Sequence, residues 1–427
     1  METKPKTAFC GLSHLGLVTS ICWASFEKVV AIDINEDTIK KLKSNIVPIY
    51  EPGLQKLLNK VKKSYYPIND FSVLKSVSLI FFTLDTPLDD SDPKELNFLI
   101  HKAIPFLKQG VTLVIISQIP VGYCRTLYKK LVQKRPDLDF SLYHWVNTIV
   151  VGNSIERFLS PERIIIGTLN SNQKFNYTLS KVLERFSCRV IKMSFESAEI
   201  TKMAVNLYLA TSITTSNAVS DLCEMVGANI NEIIPALQLD KRIGSFAYLR
   251  PTLRISGGHL ERELYRFYEL RKTYAIPETI MDYVIKLNEN RFKWLEQKLK
   301  KYLLDKVKNP TICLWGLSYK KETTSTQNAA SVKVIESLAR HVQLTVYDPL
   351  AILPKKLKGY RRFEDKYDAL KGTNCLIFLT DWDEFLKVDI SKMRRLMKNY
   401  LIIDCVGILY PIKKNLTDFT YITMGMG

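Results

Sequence analysis

Short apolar runs, separated by stretches with helical spacing, constrain the fold of this chain more than any other feature. Near the amino end these runs read TAFCGL, KVVAIDI, SLIFFTL, TLVIISQI and RIIIG. Each run has the length of a strand, and the stretches between them have the apolar spacing of amphipathic helices. Strands that alternate with helices in this way form parallel sheets covered by helices. The first half of the chain is therefore predicted to be an α/β unit with a doubly wound parallel sheet.

The pattern changes to long helices in the middle of the chain and then returns to strands. Helical spacing dominates from about residue 197 to residue 304, and a single helix is predicted from Glu278 to Leu304. After Asn309 and Pro310 the runs TICLWGL, VQLTVYD, CLIFLTD and YLIIDC predict a second α/β unit. A chain of 427 residues is too long for one ordinary core. We predict three parts, at residues 1–196, 197–305 and 306–427.

Composition and charge narrow the class of protein. Hydrophobic residues make up 46% and charged residues 24%, which is typical of globular chains. No run of about 18 apolar residues predicts a membrane-spanning helix, and the start METKPKTAFCGL lacks the apolar stretch of a signal peptide. A cytoplasmic protein is expected. The net charge of +18 comes from dispersed lysines, which favours a solvated surface over a nucleic-acid interface.

Cysteine and histidine spacing gives no sign of a metal or disulfide site. The eight cysteines lie far apart without a C-x-x-C pair, and most of them lie in apolar runs. Four of the histidines are isolated and have no metal-ligand spacing. They are His14, His101, His144 and His341.

The segment FCGLSHLGLVTS has the form of a dinucleotide-binding turn between a strand and a helix. Gly11 and Gly16 hold the outer glycine positions, and Ser13 holds the middle one, where its Cβ would approach the pyrophosphate. Asp33 ends the next strand, at the place of a carboxylate that binds ribose hydroxyls, and this favours NAD over NADP. A plain strand–helix–strand unit without a nucleotide remains the alternative. His14, inside this turn, is expected to pack or to lie at the cofactor edge.

The order of several longer motifs resembles the UDP-glucose/GDP-mannose (nucleotide-sugar) dehydrogenase family. The resemblance covers the whole chain, with two Rossmann-like domains joined by a central dimerising helix. The motifs are NIVPIYEPGLQKLL, Thr86-Pro87, SQIPVG, SPERIIIG, AEITKMAVNLYLATSITTSNAVSDLCEMVGA, DKRIG, GLSYKKET, TVYDP and LTDW.

The resemblance implies a four-electron oxidation of a sugar alcohol to a carboxylate, with two NAD per turnover. In the family a cysteine captures the aldehyde, a second hydride transfer gives a thioester, and water hydrolyses it. A thiolate is required because the same atom must be a good nucleophile and a good leaving group. The family's lysine and asparagine match Lys202 and Asn206, which share one helix face. The resemblance also implies a place in polysaccharide biosynthesis.

The chain departs from the family at the nucleophile and around it. Aligned on Pro251 and the basic–acidic pair Arg262 and Glu263, the family cysteine becomes His259, and a one-residue shift would put Leu260 there. Neither alignment supplies a thiol. Further family positions also change: the threonine after serine, the glutamate that acts on the thioester, an arginine and glutamate near the end of the chain, and a D-G-R triplet. These positions are Gln118, Asn147, Gln327, Asn328 and Asp404-Cys405-Val406.

The resemblance and the motifs together predict three sets of site residues and no metal ligands. The predicted catalytic residues are Lys202, Asn206, His259 and Glu263. The predicted cofactor-binding residues are Gly11, Ser13, Leu15, Gly16, Asp33, Thr86 and Ser117. The predicted substrate-binding residues are Tyr248, Leu249, Arg250, Gly257 and Lys320.

We expect a homologue that binds NAD and a nucleotide sugar and is catalytically impaired, because His259 stands where the family has cysteine. One alternative is an active oxidoreductase that completes the oxidation or stops after one step, with His259 as a base. The other is a basic structural or nucleic-acid-associated protein on the same fold. The expected partner is a second copy of the chain or an intact paralogue, and no membrane is expected.

Overall fold

The chain folds into two compact units, Met1–Ala204 and Val205–Gly427. The structure is a computed structural model that describes residues 5–86 and 93–427, and for His259 the backbone alone. The boundary between the units lies inside one long helix. The finer division into three parts stays a prediction.

The first unit is built on an eight-stranded sheet in the order β3-β2-β1-β4-β5-β6-β7-β8. Neighbouring strands are parallel except β6 and β7, which pair antiparallel. The strands are β1 (Thr7–Cys10), β2 (Val29–Ile32), β3 (Tyr65–Ile68), β4 (Leu79–Phe82), β5 (Val111–Ile115), β6 (Phe140–Trp145), β7 (Arg163–Thr168) and β8 (Arg189–Ser194).

Helices connect these strands, as the alternating pattern predicts. They are α1 (His14–Trp23), α2 (Glu36–Lys43), α3 (Leu54–Val61), α4 (Lys94–Ala103), α5 (Tyr123–Lys134), α6 (Ser154–Leu159) and α7 (Tyr177–Leu183), with short 3₁₀ helices at Phe71–Ser76 and Ile104–Phe106. The 32-residue α8 (Phe195–Val226) follows β8 and continues into the second unit.

Apolar side chains on the two faces of this sheet form two separate cores. Phe9 belongs to one cluster, while its strand neighbours Ala8 and Cys10 belong to the other. This alternation follows from the two-residue period of a strand. Phe9 stacks on Phe81, with ring centroids 4.5 Å apart, beside the fully buried Trp23. Both sheet faces are therefore covered, which explains why the central strands β1, β2, β4 and β5 are buried along their whole length.

The second unit combines helices with a six-stranded parallel sheet in the order β11-β10-β9-β12-β13-β14. Its first helices are α9 (Ile230–Leu239), α10 (Gly258–Thr273), α11 (Ile280–Asn290) and α12 (Lys293–Leu299), followed by a π-helical segment at Lys300–Leu304. The sheet region contains β9 (Thr311–Trp315), α13 (Ala330–Leu338), β10 (Gln343–Tyr347), β11 (Arg361–Arg362), α14 (Lys366–Leu370), β12 (Cys375–Phe378), α15 (Asp383–Leu386), α16 (Ile390–Leu396), β13 (Leu401–Asp404), a 3₁₀ helix at Tyr410–Asn415 and β14 (Thr420–Thr423).

The single helix predicted from Glu278 to Leu304 is interrupted. Arg291 and Phe292 keep helical dihedral angles, but the amides of Arg291 and Trp294 bond the carbonyl three residues back instead of four. This tightening separates α11 from α12. Arg291 is buried there and donates to the Asp221 carboxylate at 2.5 Å, so a tertiary ion pair accompanies the break.

The prediction of two parallel α/β sheets joined by a long central helix is confirmed. Within residues 5–86 and 93–427, no helix combines the length and the apolar character needed to cross a membrane.

We predict that Gly16→Ala strongly destabilises the first unit. A Cβ at position 16 would lie 1.7 Å from the carbonyl oxygen of Gly11, so α1 would have to move off β1. Overpacking of this kind costs about 3 kcal/mol or more, measurable by urea unfolding.

Gly110→Ala is the matched control. Its φ of +72° disfavours alanine, but a Cβ there meets no atom within 4 Å. The conformational strain alone should cost about 1 kcal/mol. Equal losses for the two variants would show that the approach of α1 to β1 is not what requires Gly16.

Candidate functional site

The glycine turn between β1 and α1 is formed by a close approach of backbone to backbone. Gly11 has a φ of +97°, and a Cβ on it would lie 3.0 Å from the backbone nitrogen of Leu84. Gly16 lies in α1 directly against Gly11. Both glycines are therefore needed for the geometry of the turn.

Ser13 immediately precedes α1, and its hydroxyl connects the turn to the segment after β4 through hydrogen bonds. The Ser13 hydroxyl accepts from the Asp85 amide at 2.8 Å and donates to the Thr83 carbonyl at 3.3 Å. The Leu15 amide donates to the Asp85 carboxylate at 3.1 Å, and the Leu15 side chain is buried. The middle glycine position of the motif therefore makes contacts that glycine could not make.

Asp33 lies at the carboxyl end of β2 with only 7% of its surface exposed. Oδ2 accepts from the Leu12 amide at 2.5 Å, and Oδ1 accepts from the Asn35 amide at 2.7 Å. Because each carboxylate oxygen has two lone pairs, both oxygens keep one acceptor position. The carboxylate therefore fixes the turn and can still accept from a hydroxyl.

His14 is held by a buried carboxylate, Glu51, from the IYEPGL motif. The His14 Nε2 lies 2.9 Å from the Glu51 carboxylate, which also accepts from the amides of Gly152 at 3.0 Å and Ser154 at 2.8 Å. Burial raises the pKa of Glu51, but these hydrogen bonds outweigh it, and the net pKa is lowered. Glu51 thus links the start of α1 to the segment that contains Asn147.

The predicted cofactor residues Thr86 and Ser117 are both buried beside the ends of β4 and β5. Thr86 donates from its hydroxyl to the Gln118 carbonyl at 2.7 Å, and Ser117 donates to the Phe82 carbonyl at 3.4 Å. Gln118 is itself buried. In the next loop, the Asn147 side chain accepts from the Ile149 amide at 2.9 Å and stabilises a local turn.

Glu199, on α8, caps the amino end of α5. Its carboxylate accepts from the amides of Gly122 at 2.6 Å and Cys124 at 2.9 Å. Burial raises the pKa of Glu199, and the hydrogen bonds only partly oppose it. Lys202 follows three residues later, so the same turn of α8 that carries the lysine is fixed to α5.

Lys202 and Asn206 lie four residues apart on α8, as predicted, and share a face of the helix. Asn206 is 5% exposed, and its Nδ2 group has no hydrogen-bond acceptor among the residues that the structure describes. A buried amide donor without a partner costs free energy, so this group is well placed to bind an added ligand oxygen.

The segment before α10 is fixed along the second unit's part of α8. The Tyr248 carbonyl accepts from the hydroxyls of Ser212 at 3.0 Å and Ser216 at 3.2 Å. Leu249 is buried in an apolar cluster with Cys223 and Ile230. Arg250 and the Tyr248 ring are exposed.

The residues aligned with the family's nucleophile loop form the start of α10 rather than a loop. Gly257 precedes the helix with φ +85°, and a Cβ there would lie 2.9 Å from the Tyr319 ring. His259 is the second residue of α10. Glu263 is buried and accepts from Arg262 at 3.3 Å and Arg266 at 3.2 Å. Glu263 thus belongs to a buried ion-pair cluster.

Glu261 is a second buried carboxylate in the first turns of α10. It accepts from Arg254 at 2.6 Å and from the Asn288 amide at 3.4 Å. Burial raises the pKa of Glu261, and the nearby Arg254 opposes this only in part.

The predicted substrate residues of the last sheet lie near its first strand. Lys320 follows the turn after β9, with its ammonium group 5.7 Å from the centroid of the Tyr319 ring. Asp404 is fully buried and accepts from the Leu409 amide at 2.8 Å and the Tyr421 hydroxyl at 2.9 Å. Burial raises the pKa of Asp404. Because its carboxyl group bonds the segment after β13 and a tyrosine of β14, it serves the fold.

Comparison with known proteins places this architecture in a family. Residues 5–187 match the NAD binding domain of the UDP-glucose/GDP-mannose dehydrogenase family, residues 196–290 its central domain, and residues 313–411 its UDP binding domain. The chain is 30% identical over 417 residues to the UDP-glucose 6-dehydrogenase TuaD of Bacillus subtilis (strain 168), covering 93% of this chain and 88% of that protein. The chain belongs to the UDP-glucose/GDP-mannose dehydrogenase family.

Other relatives extend this family likeness over the full length of the chain. The UDP-glucose 6-dehydrogenase of Rhizobium meliloti (strain 1021) is 26% identical over 434 residues, covering 98% of this chain and 99% of that protein. A solved UDP-D-ManNAc dehydrogenase from Pyrococcus horikoshii, 23% identical, has the same fold with a TM-score of 0.85 over 99% of both chains. A UDP-glucose dehydrogenase from Pyrobaculum islandicum, 21% identical, gives a TM-score of 0.84 over 98% of this chain and 97% of that chain.

Some residues that shape the site were not predicted from the sequence. Glu51 and Glu199 lie inside quoted family motifs, IYEPGL and AEITK, but no role was assigned to them. Asp85, directly before Thr86, is a third such residue. A carboxylate inside a motif of otherwise apolar or small residues was the available signal.

We predict that Glu51→Gln lowers the free energy of unfolding by about 2 kcal/mol at pH 7, because the amide group turns a donor toward backbone amides. Since the pKa of Glu51 is lowered, its stabilisation is present above the ordinary value of 4.5 and is lost as the pH falls through the folded-state pKa. The difference from wild type should therefore shrink below pH 4.5.

Urea unfolding at several pH values tests this. Glu36→Gln is the control. Glu36 is 69% exposed, and its ion pair with Lys40 is long, at 4.0 Å, so its loss should change stability little. A difference between wild type and Glu51→Gln that is constant across pH would contradict the assigned ionisation.

Proposed function

We propose that this family member binds NAD and a nucleotide sugar but does not oxidise the sugar to an acid through a thioester. The observation that carries the proposal is the absence of a thiol at the aligned nucleophile position, where the chain has His259. Thioester formation needs an accessible thiolate, and imidazole cannot replace it.

The positions of the eight cysteines support this proposal. Seven of them are buried and one, Cys188, is half-buried. Burial raises the pKa of Cys22 to about 12 and that of Cys313 to about 12, and it raises the pKa of Cys10 still further. Cys188 lies just before the edge strand β8, and four strands separate β8 from β1 and its glycine turn. Buried thiols of high pKa do not act as nucleophiles.

Two further positions support the same proposal. Asn147 stands where the family has the glutamate that acts on the thioester, and an amide cannot accept a proton as a base does. Gln118 stands where the family has a threonine, and it is buried. Both changes affect the hydrolytic half of the family reaction.

The NAD site that we propose consists of the glycine turn and the strand ends around it. Three observations support it: the match to the NAD binding domain, the close backbone approach at Gly11 and Gly16, and the acceptor positions that Asp33 keeps. Asp33 would bind the ribose hydroxyls, while Thr86 and Ser117 remain predicted contacts. When bound, NAD would accept a hydride from the sugar.

The match to the UDP binding domain supports a nucleotide sugar as the second ligand. Lys320 and Arg250 supply positive charge on the second unit for this ligand. The D-G-R triplet of the family is absent, with Val406 in place of the arginine. We therefore propose weaker nucleotide binding than in relatives that have the triplet.

A second copy of the chain, or an intact paralogue, is the proposed protein partner. Three large apolar side chains between residues 225 and 246 are strongly exposed: Met225 and Leu239 at 84% and Phe246 at 94%. Exposed apolar groups of this size are typical of protein contacts. They lie in the family's central domain, which supports a subunit interface there.

A single-step oxidation to the aldehyde is the second candidate function, and one observation favours it. The buried Nδ2 group of Asn206 has no acceptor among the described residues, and Lys202 shares its helix face. Both could stabilise negative charge on a sugar oxygen, and His259 could take the hydroxyl proton.

We predict that wild-type protein with NAD and a panel of UDP- and GDP-sugars forms no sugar acid and no second NADH per sugar, because no thiol is available to trap the aldehyde. NADH absorbance and sugar-acid analysis measure the outcome. TuaD with UDP-glucose serves as the positive control. Two NADH per sugar and formation of the acid would overturn the proposal.

One NADH per sugar, with an aldehyde that hydroxylamine traps, would instead establish the second candidate. That activity should then be lost in Lys202→Ala and in His259→Ala.

We also predict that the protein binds NAD at least tenfold more tightly than NADP, since the Asp33 carboxylate would repel a 2′-phosphate. Asp33→Asn should bind NAD about tenfold more weakly, as expected for loss of a charge-assisted hydrogen bond. Isothermal titration measures both affinities. Asp37→Asn, which removes an exposed carboxylate of α2, is the control. Equal affinities of wild type for NAD and NADP would exclude the assigned role of Asp33.

A further inference from the structure

The amino end of α1 already has an anionic group bound to it. The Asp85 carboxylate accepts from the Leu15 amide at 3.1 Å, and Leu15 is the second residue of α1. Asp85 follows β4, the strand that pairs with β1, so its position is set by the sheet. The side chain is exposed.

Ser13 holds this carboxylate in place through the backbone. The Ser13 hydroxyl accepts from the Asp85 amide at 2.8 Å and donates to the Thr83 carbonyl at 3.3 Å. A glycine at position 13 would make neither contact. The residue in the middle position of the glycine motif therefore fixes the segment that brings the carboxylate to the helix.

The amides at the start of this helix are the donors that a dinucleotide pyrophosphate uses. They carry the positive end of the helix dipole, and in folds of this kind the pyrophosphate binds them directly. A carboxylate at the Leu15 amide uses the same donor and adds a negative charge where a diphosphate must approach. Two such charges a few ångströms apart repel each other.

We propose that Asp85, positioned by Ser13, is an internal competitor for the pyrophosphate of NAD, and that it must leave the amino end of α1 before NAD binds fully. This inference rests on the proposed NAD site. The exposure of Asp85 makes the exchange feasible, because water can solvate the displaced carboxylate. NAD affinity is then set partly by this residue.

Isothermal titration with NAD and, separately, with inorganic pyrophosphate tests the inference on the full chain. Asp85→Asn keeps the shape and removes the charge, so we expect the Kd for each ligand to fall roughly tenfold. Ser13→Gly should also tighten binding, because the segment that carries Asp85 loses its anchor. The two changes together should give less than the product of the separate effects, since they act on one contact.

Asp137→Asn is the matched control. Asp137 is an exposed carboxylate in the turn between α5 and β6, where it pairs with Arg135 at 2.8 Å. This turn precedes β6 and so lies at the end of the sheet away from the glycine turn. Its removal changes the net charge by the same amount and should leave both Kd values within twofold. Thermal unfolding of each variant checks that the fold is intact.

The outcomes separate this inference from the proposed function. Unchanged affinity in Asp85→Asn and Ser13→Gly, with NAD binding in wild type, would overturn the inference and leave the NAD site standing. Tighter pyrophosphate binding in the variants, with no NAD binding by any of the proteins, would show that Asp85 competes for a diphosphate at α1 but would reject the NAD site, and with it the role of Asp85 in NAD binding. An equal gain in Asp137→Asn would reduce the effect to net charge and overturn the inference.

Discussion

Helix α1 lies so close to strand β1 that no side chain can stand between them at position 16. A Cβ on Gly16 would lie 1.7 Å from the Gly11 carbonyl, and this contact fixes where the helix begins. Because α1 starts directly beyond β1, its first amides face the turn and the end of the neighbouring strand β4. Asp85 reaches the Leu15 amide from there. The chemistry of the proposed cofactor site therefore follows from one backbone contact.

The second sheet contains a turn of the same local sequence, Gly-Leu-Ser, after β9, and the comparison shows what the turn alone does not determine. Gly11 and Gly316 have φ values of +97° and +93°. In each turn the leucine amide donates to a carboxylate after the next strand, at 2.5 Å to Asp33 and 2.6 Å to Asp348. Asp348, however, also accepts from Trp382 and from three further backbone amides. Its acceptor positions are filled, which leaves Asp33 as the better carboxylate for a ligand.

The sequence predicted the parts of the structure that depend on local pattern. Apolar runs became strands, and Gly11, Gly16 and Asp33 took the predicted places in the first turn. Contacts between distant segments were not predictable in this way. Glu51 bonds Gly152, 101 residues away, and Glu199 bonds Cys124, 75 residues away. The burial of Leu249 and the early start of α10 likewise depend on neighbours that no periodicity specifies.

The proposed loss of thioester chemistry need not lower the stability of the fold. We propose that Gln118, Asn147 and His259 stand at catalytic positions of the family, whereas the carboxylates that hold the backbone have their donors: Glu51 bonds two amides, and so does Glu199. A buried carboxylate that loses such donors destabilises a protein, whereas a nucleophile contributes to rate and not to packing. Chemistry and fold thus depend on different residues in this chain. A protein that only binds its ligands can therefore keep the family fold after its catalytic residues have changed.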